Sequence, residues 1–297
     1  MDEQTPVLSP GTLLATLRER SAEALRSHAI HPILTTCNVI EQEGIAFQVR
    51  VVTEKEGAKD VPKRGNPFLP YDPALFVADI SPTHVALLNR FNVVDDHFLI
   101  VTRSFEQQQA QLTQKDCEAL LIALTEIDGL AFYNAGPIAG ASQSHKHMQV
   151  IPLPDSPAAR IPIEPLMRFG RTDGATGLIP RLPFLHAYAP MDWDWTNPEK
   201  NSGGSLHACY RKLLQAVGLS VEPTPGSHAV TAPYNLLMTR KWLLLVPRSK
   251  ECFEDISINA LGFAGAFLVK DAAGLATLRN NGPLAALQHV ALPQTRS

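Results

Sequence analysis

The stretch "GASQSHKHMQVIPLP", residues 140–154, decides how the rest of the chain is interpreted. Successive side chains of a β-strand point to opposite faces, so a strand here would place His145, His147 and Gln149 on one face. Two imidazoles and one amide then converge on the same side of a sheet. This arrangement offers a candidate nucleophile together with neutral hydrogen-bonding groups beside it.

The other face of the same strand carries a different set of residues. We expect Met148 and Val150 to pack in the core, and Lys146 to be a solvated or partner-facing charge. Pro152 and Pro154 follow, and proline lacks the backbone donor that a strand needs. The strand is therefore predicted to end there.

The segment before the histidines, "NAGPIAGASQS" at residues 134–144, is small and polar. Its backbone amides and hydroxyls are suited to an anion-binding nest that carries no formal charge. The residues concerned are Gly136, Gly140, Ser142, Gln143 and Ser144. A neutral histidine nitrogen attacks phosphorus near pH 7 when an acceptor holds its other nitrogen, so a phosphate group is the expected target.

Patterns along the chain predict an α+β fold built on an antiparallel sheet, because strands cluster with short connections and few long helices. The predicted helices are residues 11–27, 113–128 with Thr113 as N-cap, 205–217, and helical patterns from about 257 onward. The predicted strands are a hairpin at 37–52, three runs at 74–80, 84–91 and 97–102, then 129–136, 145–151 and two runs within 234–248.

Residues 154–204 are rich in Pro, Gly, Trp and Asp and show no sustained period. We expect a long irregular surface insertion there, within a single domain that spans residues 1–297. Trp193 and Trp195 lie in it, and packing is expected for them rather than stacking on a base.

Composition excludes several classes of function. The 297 residues carry 26 Lys and Arg against 29 Asp and Glu, a net charge of -3, with no long basic run. We therefore expect a small soluble substrate rather than a nucleic-acid or membrane-surface partner. The four cysteines form no CxxC pair, the first ten residues are acidic and polar, and no apolar run approaches ~20 residues. These features favour a cytoplasmic protein with reduced thiols.

Several stretches, taken in order, carry a resemblance that is more specific than the histidine pair. They are "NPFLPYDPALFV", "HVALLNRFNVVDDHFLIVTRSFEQQ", "FYNAGPIAGASQSHKHMQVIPLP", "YNLLMTRKWLLLVPR" and "INALGFAGAFLVK". The His-x-His-x-Gln motif resembles the transferase branches of the histidine-triad superfamily. The whole set, from about residue 63 to 270, is similar to the diadenosine tetraphosphate phosphorylase (ATP adenylyltransferase) family.

The resemblance implies a histidine-triad-like half-barrel of antiparallel strands flanked by helices. It also implies reversible phosphorolysis of diadenosine 5',5'''-P1,P4-tetraphosphate (Ap4A) with inorganic phosphate to ATP and ADP. His147 would be the nucleophile that becomes adenylylated, His145 would orient the site, and Gln149 would donate to the phosphate. Substrate-binding roles are implied for Asn134, Gly140, Ser142 and Gln143 in the phosphate loop, for Asn89 at the ribose, and for Lys63, Asn66 and Lys270, with Lys63 and Arg64 able to exchange places.

The expected partners are diadenosine polyphosphates, ATP, ADP and phosphate, with magnesium carried by the substrate and no tightly bound organic cofactor. We expect a monomer. Gln149 replaces the third histidine of the hydrolase branch and cannot supply an acidic proton, which favours transfer over hydrolysis. Three alternatives stay open at this stage: a hexose-phosphate uridylyltransferase, a nucleotide-binding sensor without turnover, and a structural metal-binding module.

Overall fold

The computed structural model describes residues 9–53, 65–154, 160–173, 175–195, 197, 201–219 and 232–294. Its helices are α1 (Leu13–Arg26), α2 (Gln114–Glu126), α3 (Glu164–Met167), α4 (Gly203–Ala216), α5 (Ala260–Ala264), α6 (Ala272–Asn281) and α7 (Pro283–Val290). Its strands are β1 (Thr35–Gln42), β2 (Ile45–Val52), β3 (Phe76–Ser81), β4 (His84–Leu88), β5 (Phe98–Thr102), β6 (Gly129–Asn134), β7 (His147–Pro152), β8 (Arg171–Asp173), β9 (Thr176–Leu178), β10 (Ala187–Pro190), β11 (Tyr234–Met238), β12 (Trp242–Pro247), β13 (Cys252–Phe253), β14 (Ile256–Ser257) and β15 (Ala266–Val269).

A ten-stranded antiparallel sheet is the centre of the fold. Its strand order is β3-β4-β5-β7-β6-β11-β12-β10-β9-β8, so β7 lies between β5 and β6 near the middle of one half. A second sheet has the order β1-β2-β15, with β15 parallel to β2. The predicted α+β class with an antiparallel sheet is confirmed.

Both faces of the large sheet are covered, each by its own hydrophobic core. On one face α1, α2 and α4 pack against the sheet, where Met148 and Val150 of β7 are fully buried as predicted. On the other face lie α5, α6, α7 and the three-stranded sheet. A smaller cluster around Phe68 covers β4 and β5 on this second face. Burial of both faces explains why the central strands consist of near-continuous apolar runs.

The local sequence accounts for the elements that were predicted. Thr113 caps α2 in a reciprocal capping box with Asp116, whose side chain accepts from the Thr113 backbone. The β1–β2 hairpin turns at Glu43 and Gly44, both with positive φ. β7 begins at His147, two residues later than predicted, because residue 145 forms only an isolated bridge with Gln107.

The expectation of a surface insertion at residues 154–204 is wrong. β8, β9 and β10 extend the large sheet beyond β12, and Ile163 and Phe184 are fully buried in the second core. Strands of three or four residues are too short for a visible alternation, and prolines interrupt the pattern. The C-terminal helical prediction also missed β15, a four-residue strand between α5 and α6. The single-domain assignment stays a prediction.

Within the described residues, no helix has the length and apolar character needed to cross a bilayer.

Candidate active site

His147 opens β7 on the face of the large sheet that carries the second core, and it is only 5% exposed. Its Nδ1 lies 2.8 Å from the backbone oxygen of His145. A carbonyl oxygen only accepts, so Nδ1 carries the proton and Nε2 keeps its lone pair. Burial lowers the pKa of His147 to about 4, against the opposing effect of that hydrogen bond. The ring is therefore neutral, with Nδ1 held by an acceptor and Nε2 chemically able to act as a nucleophile.

Gln108 fixes the backbone of His147. Its Oε1 accepts from the His147 backbone amide at 2.8 Å, and its Nε2 donates to the backbone oxygens of Asn134 and His147. Gln108 is 2% exposed. The buried Gln108 side chain thus joins the start of β7 to the end of β6. It fixes the position of the His147 backbone relative to the loop that follows Asn134.

His145 is held from both sides of its ring. Nε2 donates to the backbone oxygen of Thr102 at 2.8 Å, and Nδ1 accepts from the Asn66 amide at 2.8 Å. Burial lowers the pKa of His145 as well. The Phe68 ring lies 5.6 Å from the His145 ring and 5.3 Å from the His147 ring, between centroids. The orienting role expected for His145 fits this geometry, and Asn66 acts on it directly.

Gln149 belongs to a hydrogen-bonded chain that the sequence analysis missed. His97 donates from Nε2 to the Gln149 Oε1 at 3.0 Å, and Asn89 donates from its amide to the His97 Nδ1 at 3.1 Å. Because Oε1 accepts from His97, the amide nitrogen is the end of the Gln149 side chain that can donate to a ligand. His97 immediately precedes β5, whose Val101 and Leu99 lie opposite His147 and Gln149. Its position next to the strand that pairs with β7 is the feature by which its contact with Gln149 could have been found.

The buried imidazoles of His97 and His147 should stay neutral at pH values well below the ordinary pKa of histidine. Burial lowers the pKa of His97 to about 4, partly opposed by its bond to Gln149 and reinforced by the nearby His147. In the unfolded chain the same groups bind protons near pH 6.5. The free energy of unfolding should therefore decrease as pH falls from about 6.5 to about 4. NMR titration of the ring nitrogens tests this, and a midpoint near 6.5 for His147 would contradict the burial argument.

In the loop between β6 and β7, several backbone amides form hydrogen bonds within the loop instead of being free for a ligand. The amide of Gly136 donates to the Asn134 backbone oxygen, and that of Gly140 to the Pro137 oxygen, so neither is free for an anion. Gly140 has φ +86, and a Cβ there would lie 2.9 Å from the Ile258 backbone oxygen. Only glycine fits at this crossing. The expected nest is thus limited to residues 142–144 further along the loop.

Asn134 anchors this loop from below and is 1% exposed. Its Oδ1 accepts from the Asn235 amide at 2.8 Å and from the Ala260 backbone amide at 3.0 Å. Asn235 also donates to the Ala139 backbone oxygen, and its own Oδ1 accepts from the buried guanidinium of Arg248 at 2.6 Å. Asn134 is therefore placed to shape the loop, and the phosphate contact expected of it stays a prediction.

The remaining predicted binding residues are more dispersed. Ser142 is exposed and Gln143 half-buried on the loop that leads to His145. Asn89 is half-buried just after β4 and belongs to the series of hydrogen bonds that includes His97 and Gln149. Lys270 is exposed after β15, with its charge near the Cys252 thiol. Lys63 and Arg64 lie outside the described residues.

The prediction of a solvated Lys146 is wrong. Its side chain is completely buried on the far face of the strand, and its Nζ donates to Asp116 at 2.9 Å and to Glu106 at 2.7 Å. Asp116 also accepts from His84 at 2.9 Å. Burial alone would raise the pKa of Asp116, but the His84 hydrogen bond and the Lys146 charge outweigh it and hold that pKa at about 2. A lysine on the core face must be paired, because an isolated buried charge is too costly.

Metal ligation is not indicated by the groups around His147. Within the described residues, no three His, Cys, Asp or Glu side chains come together in a way that could hold a metal ion. The carboxylates of Glu106 and Asp116 are occupied by Lys146. Trp193 and Trp195 pack against the first core, with the Trp195 indole donating to the Arg240 backbone oxygen.

The fold and the site define a class: a protein with a large antiparallel sheet that presents a neutral, buried histidine beside a glycine-containing loop. Comparison with known proteins supplies the family. Residues 3–169 match the model of the Ap4A phosphorylase N-terminal domain, and residues 180–293 match that of the ATP adenylyltransferase C-terminal domain. The chain therefore belongs to the Ap4A phosphorylase family.

Individual relatives agree with this assignment. Diadenosine 5',5'''-P1,P4-tetraphosphate phosphorylase 2 of Saccharomyces cerevisiae is 32% identical over 206 residues, covering 62% of this chain and 62% of the relative. Protein APA1 of the same yeast is 27% identical over 205 residues, covering 62% and 61%. The matched segment thus spans less than two thirds of either relative. The crystal structure of yeast Ap4A phosphorylase Apa2 in complex with AMP shares the fold, with a TM-score of 0.78 at 24% identity over 98% of this chain and 100% of that one.

Proposed function

We propose that this protein catalyses the reversible phosphorolysis of Ap4A with inorganic phosphate to ATP and ADP, through a covalent adenylyl-His147. The observation that carries the proposal is the fixed tautomer of His147, with Nδ1 donating to the His145 carbonyl and Nε2 unprotonated in a buried site. Membership of the Ap4A phosphorylase family supports the choice of substrate. A structure of the yeast phosphorylase Apa2 with Ap4A has the same fold, with a TM-score of 0.78.

In the first step the Nε2 of His147 attacks the α-phosphorus of one adenylate. The N–P bond forms while the bond from that phosphorus to the bridging oxygen breaks, and ATP leaves with the bond electrons. The imidazole then carries positive charge, which its Nδ1–H shares with the His145 carbonyl at 2.8 Å. In the second step a phosphate oxygen attacks the same phosphorus, the N–P bond breaks, and ADP is released with His147 neutral again.

The neighbouring groups have distinct tasks in this scheme. The Gln149 amide donates to a non-bridging oxygen on the α-phosphorus of the transferred adenylyl group, and His97 with Asn89 holds that amide in orientation. Because neither Gln149 nor the neutral His97 is an acid near pH 7, the leaving group must be a good one without a proton. ATP bound to magnesium meets this requirement, and we propose the metal as part of the substrate. A monomer in the cytoplasm stays the expectation.

The test is a pair of incubations with the purified chain. With Ap4A and phosphate, ATP and ADP should form in equal amounts. With Ap4A alone, one equivalent of ATP should be released and His147 should gain the mass of one adenylate. Consumption of UDP-glucose in place of Ap4A would indicate the uridylyl-transfer alternative, and Ap4A binding without any product would indicate a sensor. Either result would overturn the proposal.

A further inference from the structure

Phe105 is an unusual side chain at the edge of the site. Its ring centroid lies 5.4 Å from that of His145, at an interplanar angle of 67°. Phe68 also contacts the His145 ring but is only 7% exposed, whereas Phe105 is 52% exposed. A large aromatic side chain left half in water beside a buried imidazole has apolar surface available for a ligand.

The register of the sheet gives the site a direction. His147 pairs with Val101 and Gln149 with Leu99, so the run from His145 to Gln149 proceeds toward His97 at the start of β5. Asn89 lies at that same end, bonded to His97. Phe105 follows β5 and therefore lies at the opposite end, beside His145. With Asn89 at the ribose of the transferred adenylate, as the family resemblance implies, the end beside His145 is the one left for the departing part of the substrate.

The loop after β6 contributes a second exposed apolar group at the departing end. Phe132 pairs with Gln149, so the chain beyond it runs toward the level of His145 before turning at residues 136–140. Ile138 in that turn is 44% exposed. A Cβ on Gly136 would lie 2.5 Å from the Gln109 side chain, so this turn adjoins the segment that follows Phe105. The end of the site where a leaving group exits is thus bordered by exposed apolar groups.

We propose that Phe105 is the stacking platform for the base of the departing adenosine, the nucleoside that leaves as part of ATP. This inference rests on the proposed phosphorolysis and adds a second nucleoside subsite to it. An aromatic ring stacks on the flat face of any base without reading its hydrogen-bonding edge. The distal base is therefore bound with little selectivity between adenine and guanine, whereas its presence strengthens binding of a dinucleotide over a mononucleotide.

Two reactions of the same site separate this role from others. Phosphorolysis of Ap4A needs both nucleosides, whereas exchange of labelled phosphate into ADP uses only the adenylate on His147. For Phe105→Ala we expect kcat/KM with Ap4A to fall about 10-fold to 100-fold relative to the exchange rate, mainly through KM, which is the size of base stacking on an aromatic ring. Phe105→Trp should keep the wild-type ratio. Val39→Ala, which removes a 56% exposed apolar side chain on β1, is the matched control and should also keep it.

The outcomes distinguish the inference from the function on which it rests. If the unmodified protein shows neither reaction, the proposed function fails. If Phe105→Ala slows both reactions equally, Phe105 acts on His145 and the stacking proposal is overturned. If the variant leaves the ratio unchanged, or if Phe105→Trp loses as much as Phe105→Ala, the distal base lies elsewhere and the proposal is again overturned.

Discussion

Replacing His147 by alanine should reduce phosphorolysis of Ap4A by at least about 10³-fold, because no covalent adenylyl intermediate can form without the imidazole. The release of ATP from Ap4A without phosphate should disappear together with turnover, and no adenylate should be found on the protein. Binding of Ap4A should persist, since the phosphate loop and Gln149 remain. The measurements are steady-state rates, a single-turnover ATP assay and intact-protein mass.

His186 offers a matched control for this substitution. It is also buried, at 6% exposure, and its Nδ1 donates to the backbone oxygen two residues earlier, that of Phe184, at 2.8 Å. Its Nε2 accepts from the Ile179 amide and is unavailable as a nucleophile. His186→Ala should therefore lose similar stability in a urea titration but keep the ATP release. If His147→Ala retained adenylylation or turnover, another residue would be the nucleophile.

The common face of the motif residues could be predicted because it depends on short-range rules. The spacing of His145, His147 and Gln149 fixes their common face through the strand period alone, and the glycine-rich lead-in marks a loop. The same reasoning required an acceptor at the other ring nitrogen of His147, and the structure identifies that acceptor as the backbone oxygen of His145.

The partners across the fold could not be predicted from the sequence. His97 lies 52 positions from Gln149 and Gln108 lies 39 from His147, and no local pattern records such pairs. Lys146 illustrates a different error. The strand period placed it on the core face, but its charged side chain led to the prediction that it is exposed to solvent. Only the fold shows that Asp116, at the capped start of α2, lies beneath it.

The buried ion pairs of Lys146 should make it one of the most stability-critical side chains of the site region. In Lys146→Met the Asp116 carboxylate loses a cation 2.9 Å away while remaining 1% exposed. Removing one partner of a buried pair typically costs about 3–5 kcal/mol of the free energy of unfolding. Urea denaturation at pH 7 measures the change. Lys241→Met is the control, because its pair with Glu164 is 3.6 Å long with the lysine 71% exposed, and its loss should cost less than about 1 kcal/mol.

The pH dependence and a double variant separate charge from packing in this prediction. The folded pKa of Asp116 is about 2, below the unfolded value of 3.8, so this carboxylate stabilises the fold above pH 3.8 and the contribution is lost as pH falls toward 2. Without Lys146 the pKa of Asp116 should rise, so the acid transition of Lys146→Met should move to higher pH. Lys146→Met combined with Asp116→Asn removes both charges and should recover part of the lost stability. If the double variant were as unstable as the sum of the single ones, packing of the lysine chain rather than pairing would account for the loss.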